Sequence, residues 1–284
     1  MYDAQILADS VSPLGHRLVT FQITFPRIIL AEFNTHRVFS RNSASSRAIP
    51  VPTRIKAILE APFVPAAFGA NQRGMEAGDA LEDKAQEQCR EVWLDAMRDA
   101  VKHAERLVEI GVHKQWANRL LEPFAWHTVI VTATEWENYF KLRVSEHAQP
   151  EIFTVSDMMQ KILAESTPKE LKHGQWHLPL VGEKFGDEDP SEDDSEGDVG
   201  DEVRIKLSVA RCARVSYLTH DGKRDPAADI TLYERLTGNG HMSPTEHAAR
   251  PMTVAERSMG EWCGNFRGWV QHRKEIPGEA VFQG

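Results

Sequence analysis

Arg17 to Arg47 reads RLVTFQITFPRIILAEFNTHRVFSRNSASSR, and the change of period along it decides the fold. In RLVTFQITF, Val19, Phe21, Ile23 and Phe25 point to one side, and Leu18, Thr20, Gln22 and Thr24 to the other. That alternation predicts a strand with one buried face. Pro26 ends it and suits a first helical turn. Ile29, Phe33, His36, Arg37 and Ser40 then recur at helical spacing, which predicts a helix carrying His36 and Arg37 at its end.

Farther out, helical patterns dominate. Leu81, Ala85, Cys89, Val92, Ala96, Val101, Ala104 and Val108 mark an apolar stripe over 77–110, with Gly111 as its C-terminal cap. A short helix is expected over 113–121. Thr132 with Glu135 reads as a capping box for a helix bearing Trp136, Tyr139, Phe140 and Val144. Further helices are expected around Val155 to Leu163, Val203 to Tyr217 and Ala227 to Leu236. Few strands and no βαβ alternation predict an α+β class, a helix-rich domain around a small antiparallel sheet, within one unit spanning 1–284.

The net charge of −9 is concentrated in one block. Gly186 to Glu202 holds ten acidic residues and no Lys or Arg, so setting it aside leaves a net charge of +1. Such a block reads as a solvated, flexible linker, because like charges repel and nothing in it fills a core. Its carboxylates lack the register of an EF-hand. A near-neutral body argues against a nucleic-acid binder. No apolar run reaches membrane-spanning length, and the first ten residues lack signal-peptide character. Cys89, Cys212 and Cys263 stand far apart, which fits a reducing cytoplasm and no metal knuckle. His173 and His177 have i, i+4 spacing, but Gly174 and Pro179 break the helix a metal pair needs, and surface loop histidines are expected.

Thr35 to Arg47 carries the chemistry. Three arginines, one histidine, four serines and one asparagine fall within thirteen positions. Guanidinium forks bind phosphate oxygens bidentately, and small hydroxyl residues let the backbone approach closely, so this composition points to an anionic ligand. The segment resembles the signature of flavin-dependent thymidylate synthases, R-H-R-x-x-S-x-N-x-x-S-x-R, through His36, Arg37, Ser40, Asn42, Ser45 and Arg47. Four further blocks resemble that family: Gly111-Val112 with Arg119 and Pro123, LRVSEHAQPEI at 142–152, ARVSY at 213–217, and GHMSPTEH at 240–247. The last two precede the signature in the family and follow it here, so the chain resembles a circular permutant, with 186–202 at the joint. Thr35 stands where the family has arginine, and Ser43 where it has glutamate. The stretch Asn265 to Lys274 has no place in the family pattern. It reads as an amphipathic surface helix, or as a source of charge, Arg267 or Arg273, replacing the arginine lost at Thr35.

The resemblance implies conversion of dUMP to dTMP, with methylenetetrahydrofolate as carbon donor and NADPH as reductant through FAD. It implies Ser45, Ser46, Arg47, Arg119 and Arg143 as substrate-binding residues, and His36, Arg37, Val38, Asn42, Asn138, His147, Ser243 and Glu246 as flavin-binding residues. Arg143, Ser45 and His241 are implied in catalysis, with no metal. It also implies a homotetramer with flavin sites shared between subunits. A related methyltransferase or hydroxymethyltransferase acting on dCMP or dUMP is the alternative, and a non-catalytic nucleotide-binding module the second. None of this requires a cysteine nucleophile, and Cys89 falls on an apolar stripe where a thiol packs inertly. The triple Cys→Ala variant is therefore expected to keep flavin-dependent turnover. Loss of turnover with an unchanged circular dichroism spectrum would contradict this.

Overall fold

The computed structural model describes residues 1–185, 187, 197–215 and 225–278. Strands β1 (Asp3–Val11) and β2 (Arg17–Pro26) form an antiparallel hairpin. Strands β3 (Ser40–Ser43), β4 (Trp126–Ala133) and β5 (Lys169–Glu170) complete a five-stranded sheet of order β3-β4-β2-β1-β5. Only the short β1–β5 pair is parallel. The sheet is thus larger than the sequence suggests. β4 escaped reading because its apolar residues lie on both faces, Ile130 on one and Val129 and Val131 on the other, which erases the alternation that marks a strand. Thr132, expected as a helix cap, lies inside β4 opposite Thr20.

Pro26 does end β2, but the helix after it is brief. One 3-10 turn leads into α1 (Leu30–Phe33), so His36 and Arg37 sit in a turn beyond the helix and not on it. The helices α2 (Val51–Glu60), α3 (Asp83–Glu109) and α4 (Lys114–Ala117) form their own small core. Gly111 caps α3 as expected, with a φ of 90° that favours glycine. The packed face of α3 follows the predicted stripe at Val101 and Ala104 and departs from it elsewhere. Met97, Val101 and Ala104 are buried, whereas Val92 and Val108 are exposed. The helices α5 (Glu137–Arg143) and α6 (Pro150–Glu165) cover one face of the sheet. There Phe21, Ile23 and Phe25 meet Tyr139, Phe140, Ile152, Val155 and Met159.

The last third of the chain covers the other face. Helices α7 (Gly197–Arg214) and α8 (Pro226–Gly238) pack together, and Cys212 and Val215 meet Ile130 and Leu7. Strand β6 (Ala249–Pro251), helix α9 (Val254–Met259) and strands β7 (Trp262–Cys263), β8 (Phe266–Arg267) and β9 (Trp269–Gln271) follow. The stretch 265–274 is therefore strand and 3-10 turn, with Phe266 and Trp269 fully buried against Leu18, and not an amphipathic helix. Gly264 and Gly268, both at positive φ, suit tight turns between short strands better than a helix. Leu18 and Thr20, read as the open side of β2, are fully buried for the same reason.

The acidic block is structured at both ends. Asp187 accepts a bidentate pair of bonds from the buried Arg211 at 2.6 and 2.7 Å, and residues 197–202 open α7. A buried guanidinium needs carboxylate partners, and Asp187 and Asp229 supply them. The remaining linker residues, 186 and 188–196, lie outside the described residues, as do Ser216 and Tyr217 of ARVSY. No helix among the described residues is long and apolar enough to cross a membrane.

A file of polar side chains crosses the covered face. The Ser10 hydroxyl meets His177 Nδ1 at 2.9 Å, His177 Nε2 meets Thr20 Oγ1 at 2.8 Å, Thr20 meets Thr132 at 2.7 Å, and Thr132 meets His247 Nδ1 at 2.8 Å. His177 is thus buried, not the surface histidine expected, and no metal-ligating cluster occurs among the described residues. Burial pushes both imidazoles down from 6.5 to about 3. The unfolded chain takes up protons at these histidines below pH 6.5, and the folded one only near pH 3, so stability falls as pH drops through that window. Each histidine steepens the loss by up to about 1.4 kcal/mol per pH unit. Urea midpoints at pH 7, 6 and 5 are expected to fall steeply for the native chain and less steeply for His247→Asn. Equal slopes would contradict this origin.

Candidate active site

β3 carries the middle of the Arg/Ser segment and holds it between distant parts of the chain. The Asn42 side-chain amide donates to the Cys212 carbonyl at 2.7 Å, and its oxygen accepts from the Ser243 hydroxyl at 3.4 Å. The loop after β3 is tied from beneath. Asn118, fully buried, donates to the carbonyls of Ser46 and Ile49, both at 2.8 Å. Lys114 Nζ donates to the Ala48 carbonyl at 3.1 Å, and the Ser46 hydroxyl donates to Glu122. With the loop anchored inward, Ser45 and Arg47 remain exposed.

They line a cavity of about 440 Å³. The signature supplies Asn42, Ser43, Ser45 and Arg47, while Ala213, Leu236, His241, Ser243 and Pro244 come from the C-terminal third. His113 and Gln115 complete the wall. His113 Nδ1 accepts the Gln115 N–H, 3.2 Å away, which leaves Nε2 as the ring's donor. Sequence reading missed these two residues. The signal was a histidine at a helix N-cap just beyond the Gly111 turn. Volume and donor set suit a mononucleotide-sized anion.

Arg143 is not among the residues lining this cavity. Its Nε donates to His36 Nε2 at 3.0 Å and its Nη2 to Thr35 Oγ1 at 3.4 Å. His36 therefore accepts as a neutral imidazole, and burial, helped by Arg143 and Arg41, pushes it down to about 4. Arg37 and Val38 are exposed beside it. This is a second locus, at the start of the signature. Asn138 is exposed on α5, and His147 is exposed with Nδ1 3.3 Å from Glu76. Arg119, expected beside Arg47, lies beyond Ser46, where it lines a separate cavity with Arg27, Asn34 and Glu122. Ser46 is turned inward, and its hydroxyl is used by Glu122. Glu246 pairs with Arg273.

Comparison with known proteins identifies the family. Residues 5–169 match the Thy1 model, described as thymidylate synthase complementing protein. The match takes in more than half of the chain, and the chain belongs to this family. It is an enzyme of the flavin-dependent thymidylate synthase kind. A flavin-dependent thymidylate synthase from Thermosipho melanesiensis is 28% identical over 162 residues, 55% of this chain and 67% of that protein. The UMP/dUMP methylase PolB from Streptomyces cacaoi, solved with 5-Br UMP, gives a TM-score of 0.50 at 18% identity, covering 58% of this chain and 89% of that one. The same methylase with 5-Br dUMP gives 0.48 at 16% identity, covering 58% and 91%. At these identities the first structure attests the α+β fold.

Asn118 is the hinge on which the loop rests. Asn118→Ala leaves two carbonyls without their donor, a loss of about 1–3 kcal/mol, and frees Ser45 and Arg47 from their positions. A lower urea midpoint together with weaker binding of deoxyuridine monophosphate by calorimetry is expected. An unchanged affinity would contradict the loop's role.

Proposed function

We propose that this enzyme methylates dUMP to dTMP in a flavin-dependent reaction, with methylenetetrahydrofolate as carbon donor and NADPH as reductant. The observation that carries the reading is the cavity. It unites Asn42, Ser45 and Arg47 of the signature with His241 and Ser243, about 200 residues later in the chain. The same juxtaposition supports the permuted order of the blocks, since two segments that precede the signature in the family pattern pack beside it here.

The donor set fits a phosphorylated ligand. Arg47 offers a charged fork, Ser45 a hydroxyl and His113 an Nε2–H, while Arg47 N–H to Ser45 Oγ at 3.3 Å keeps the loop tight. FAD would be held by His36, Arg37, Val38, Asn42, Ser243 and Glu246, with Asn138 and His147 at the rim. When bound and reduced, it supplies the hydride. What the protein contributes is orientation, charge neutralisation and exclusion of water. Arg143 faces charge developing on a pyrimidine oxygen, and its place beside neutral His36 keeps the guanidinium unopposed. An arginine donor favours the carbonyl of uracil over the amine of cytosine, where two donors would oppose each other.

The division of these residues between two loci on one chain supports a complete site assembled between copies, a homotetramer with shared flavin sites. Arg119 then serves the phosphate from its own cavity. Ser43, which lines the main cavity where the family has glutamate, favours a second reading in which dCMP is the substrate.

Tritium release from C5 of labelled dUMP and labelled dCMP, with FAD, NADPH and methylenetetrahydrofolate, tests the assignment. Release from dUMP is expected, and release from dCMP alone would move the substrate while keeping the flavin chemistry. Arg143→Ala is expected to lower kcat about 100-fold with a much smaller change in nucleotide affinity, because its work is done in the transition state.

A further inference from the structure

The stretch 262–275 lies outside the family match, yet its side chains converge on the signature. Gln271 Nε2 donates to Ser40 Oγ at 3.0 Å, and Asn265 Nδ2 reaches the same oxygen at 3.4 Å. Gln271 also reaches the Glu246 carbonyl at 3.4 Å, and Arg273 pairs with the Glu246 carboxylate. Ser40 is fully buried in β3, and Gln271 is nearly so. The half-buried Arg41, next to Ser40, donates through Nη1 to the carbonyls of His36 at 3.2 Å and Phe33 at 3.4 Å, and so ties β3 back to the turn before it. Bonds therefore join Arg273 to the Glu246 carboxylate, Gln271 to the Glu246 carbonyl and Gln271 to Ser40, while Arg41 beside Ser40 holds the turn that presents His36 and Arg37.

The segment is shaped for this contact. Gly264 has a φ of 60°, and a Cβ there would lie 1.8 Å from Gln271 Oε1. Only glycine lets the hairpin close over that amide. Pairing of Ala249 with Gln271 fixes β9 beside the 243–246 turn, and Trp269, fully buried, donates to the His16 carbonyl at 3.1 Å. Arg267 is occupied by Glu261 at 2.9 Å, so it does not stand in for the arginine missing at Thr35.

We infer that 262–275 is a buttress for the flavin-binding turn, with Arg273 and Gln271 acting as positioning residues through Glu246 and Ser40. Arg273 fixes the Glu246 carboxylate, and Gln271 joins the Glu246 carbonyl to Ser40. β3 is thereby held with Arg41 on the His36 carbonyl, and the turn keeps one conformation before any ligand arrives. The flavin contact that the resemblance implies for Glu246 is prepared by a segment with no place in the family pattern. The inference rests on the proposed flavin site for its consequence, not for its geometry.

The test uses the full chain with Arg273→Gln, Arg273→Lys, Glu246→Gln and the double variant Glu246→Gln/Arg273→Gln. Hydrogen exchange without ligand is expected to speed at the amides of residues 36–42 in Arg273→Gln, and less so in Arg273→Lys. FAD affinity, followed by absorbance, is expected to weaken about tenfold in Arg273→Gln, the effect of one charge-assisted bond. The double variant is expected to lose little more than either single one, because both break one line. Native exchange and native FAD affinity in Arg273→Gln would overturn the inference. If the native chain binds no FAD, the functional reading fails and the exchange data alone decide the buttress. Should Arg273→Gln lose its cooperative melt, Arg273→Lys decides, and exchange identical to the native chain's would overturn the inference.

Discussion

The structure depends on burying two threonines in the middle of a sheet. Thr20 and Thr132 face each other across β2 and β4, and both are fully buried. A buried hydroxyl without a partner costs about 1–3 kcal/mol, so this face closes only over matching polar groups. His177 and His247 supply them, one from the segment after β5 and one from the end of GHMSPTEH. Their arrival brings Leu171, Ala249, Phe266 and Trp269 over Leu18. The polar file thereby sets the register of the C-terminal third on the sheet, and that register places His241 and Ser243 opposite Asn42 and Arg47. His247 Nε2 ends the file as a buried nitrogen with no partner among the described residues.

How much of this was legible in the sequence follows from where the chain is one-sided. β2 was readable because Val19, Phe21, Ile23 and Phe25 alternate with more polar residues, and the faces of α5 and α6 were readable for a similar reason. β4 was not, since both its faces are buried and its threonine looked like a cap. In α3 the stripe was legible at Val101 and Ala104, and packing on α2 and α4 turns Met97 inward while Val92 and Val108 stay exposed. The signature announced its anion-binding character by residue type alone. Its companions His113 and Gln115 did not, because their relation to the cavity depends on the turn after α3. His177 lies in a segment without periodicity, where nothing in the sequence separates a buried imidazole from an exposed one.

Counting cations also overstated the site. Among the arginines near the signature, Arg41 is spent on backbone carbonyls and Arg27 on His127 and Glu122. Arg143 holds a neutral imidazole, which leaves its charge in place. Arg37 and Arg47 stand exposed. The division into holding and presenting arginines is a matter of burial, and burial here comes from the last third of the chain. The near-neutral body fits this arrangement, since most guanidiniums already have an acceptor and few are left to create a general basic field.

The bond between Ser243 and Asn42 spans 201 positions, and that between Gln271 and Ser40 spans 231. On the ribosome, the signature therefore emerges long before the residues that complete its surroundings. β1, β2 and β4 can pair early, with α5 and α6 on one face, but Thr20 and Thr132 stay wet until His247 has been made. Contacts at such separation are slow to form, because a long loop must close before any of them is rewarded. A nascent chain stalled before residue 240 would display one finished half of a core beside a bare sheet face, the kind of surface on which chaperones act and chains aggregate. Because the closing blocks follow the signature, the cavity cannot assemble until residues 240–247 have been made, so ligand-binding competence arises late in synthesis.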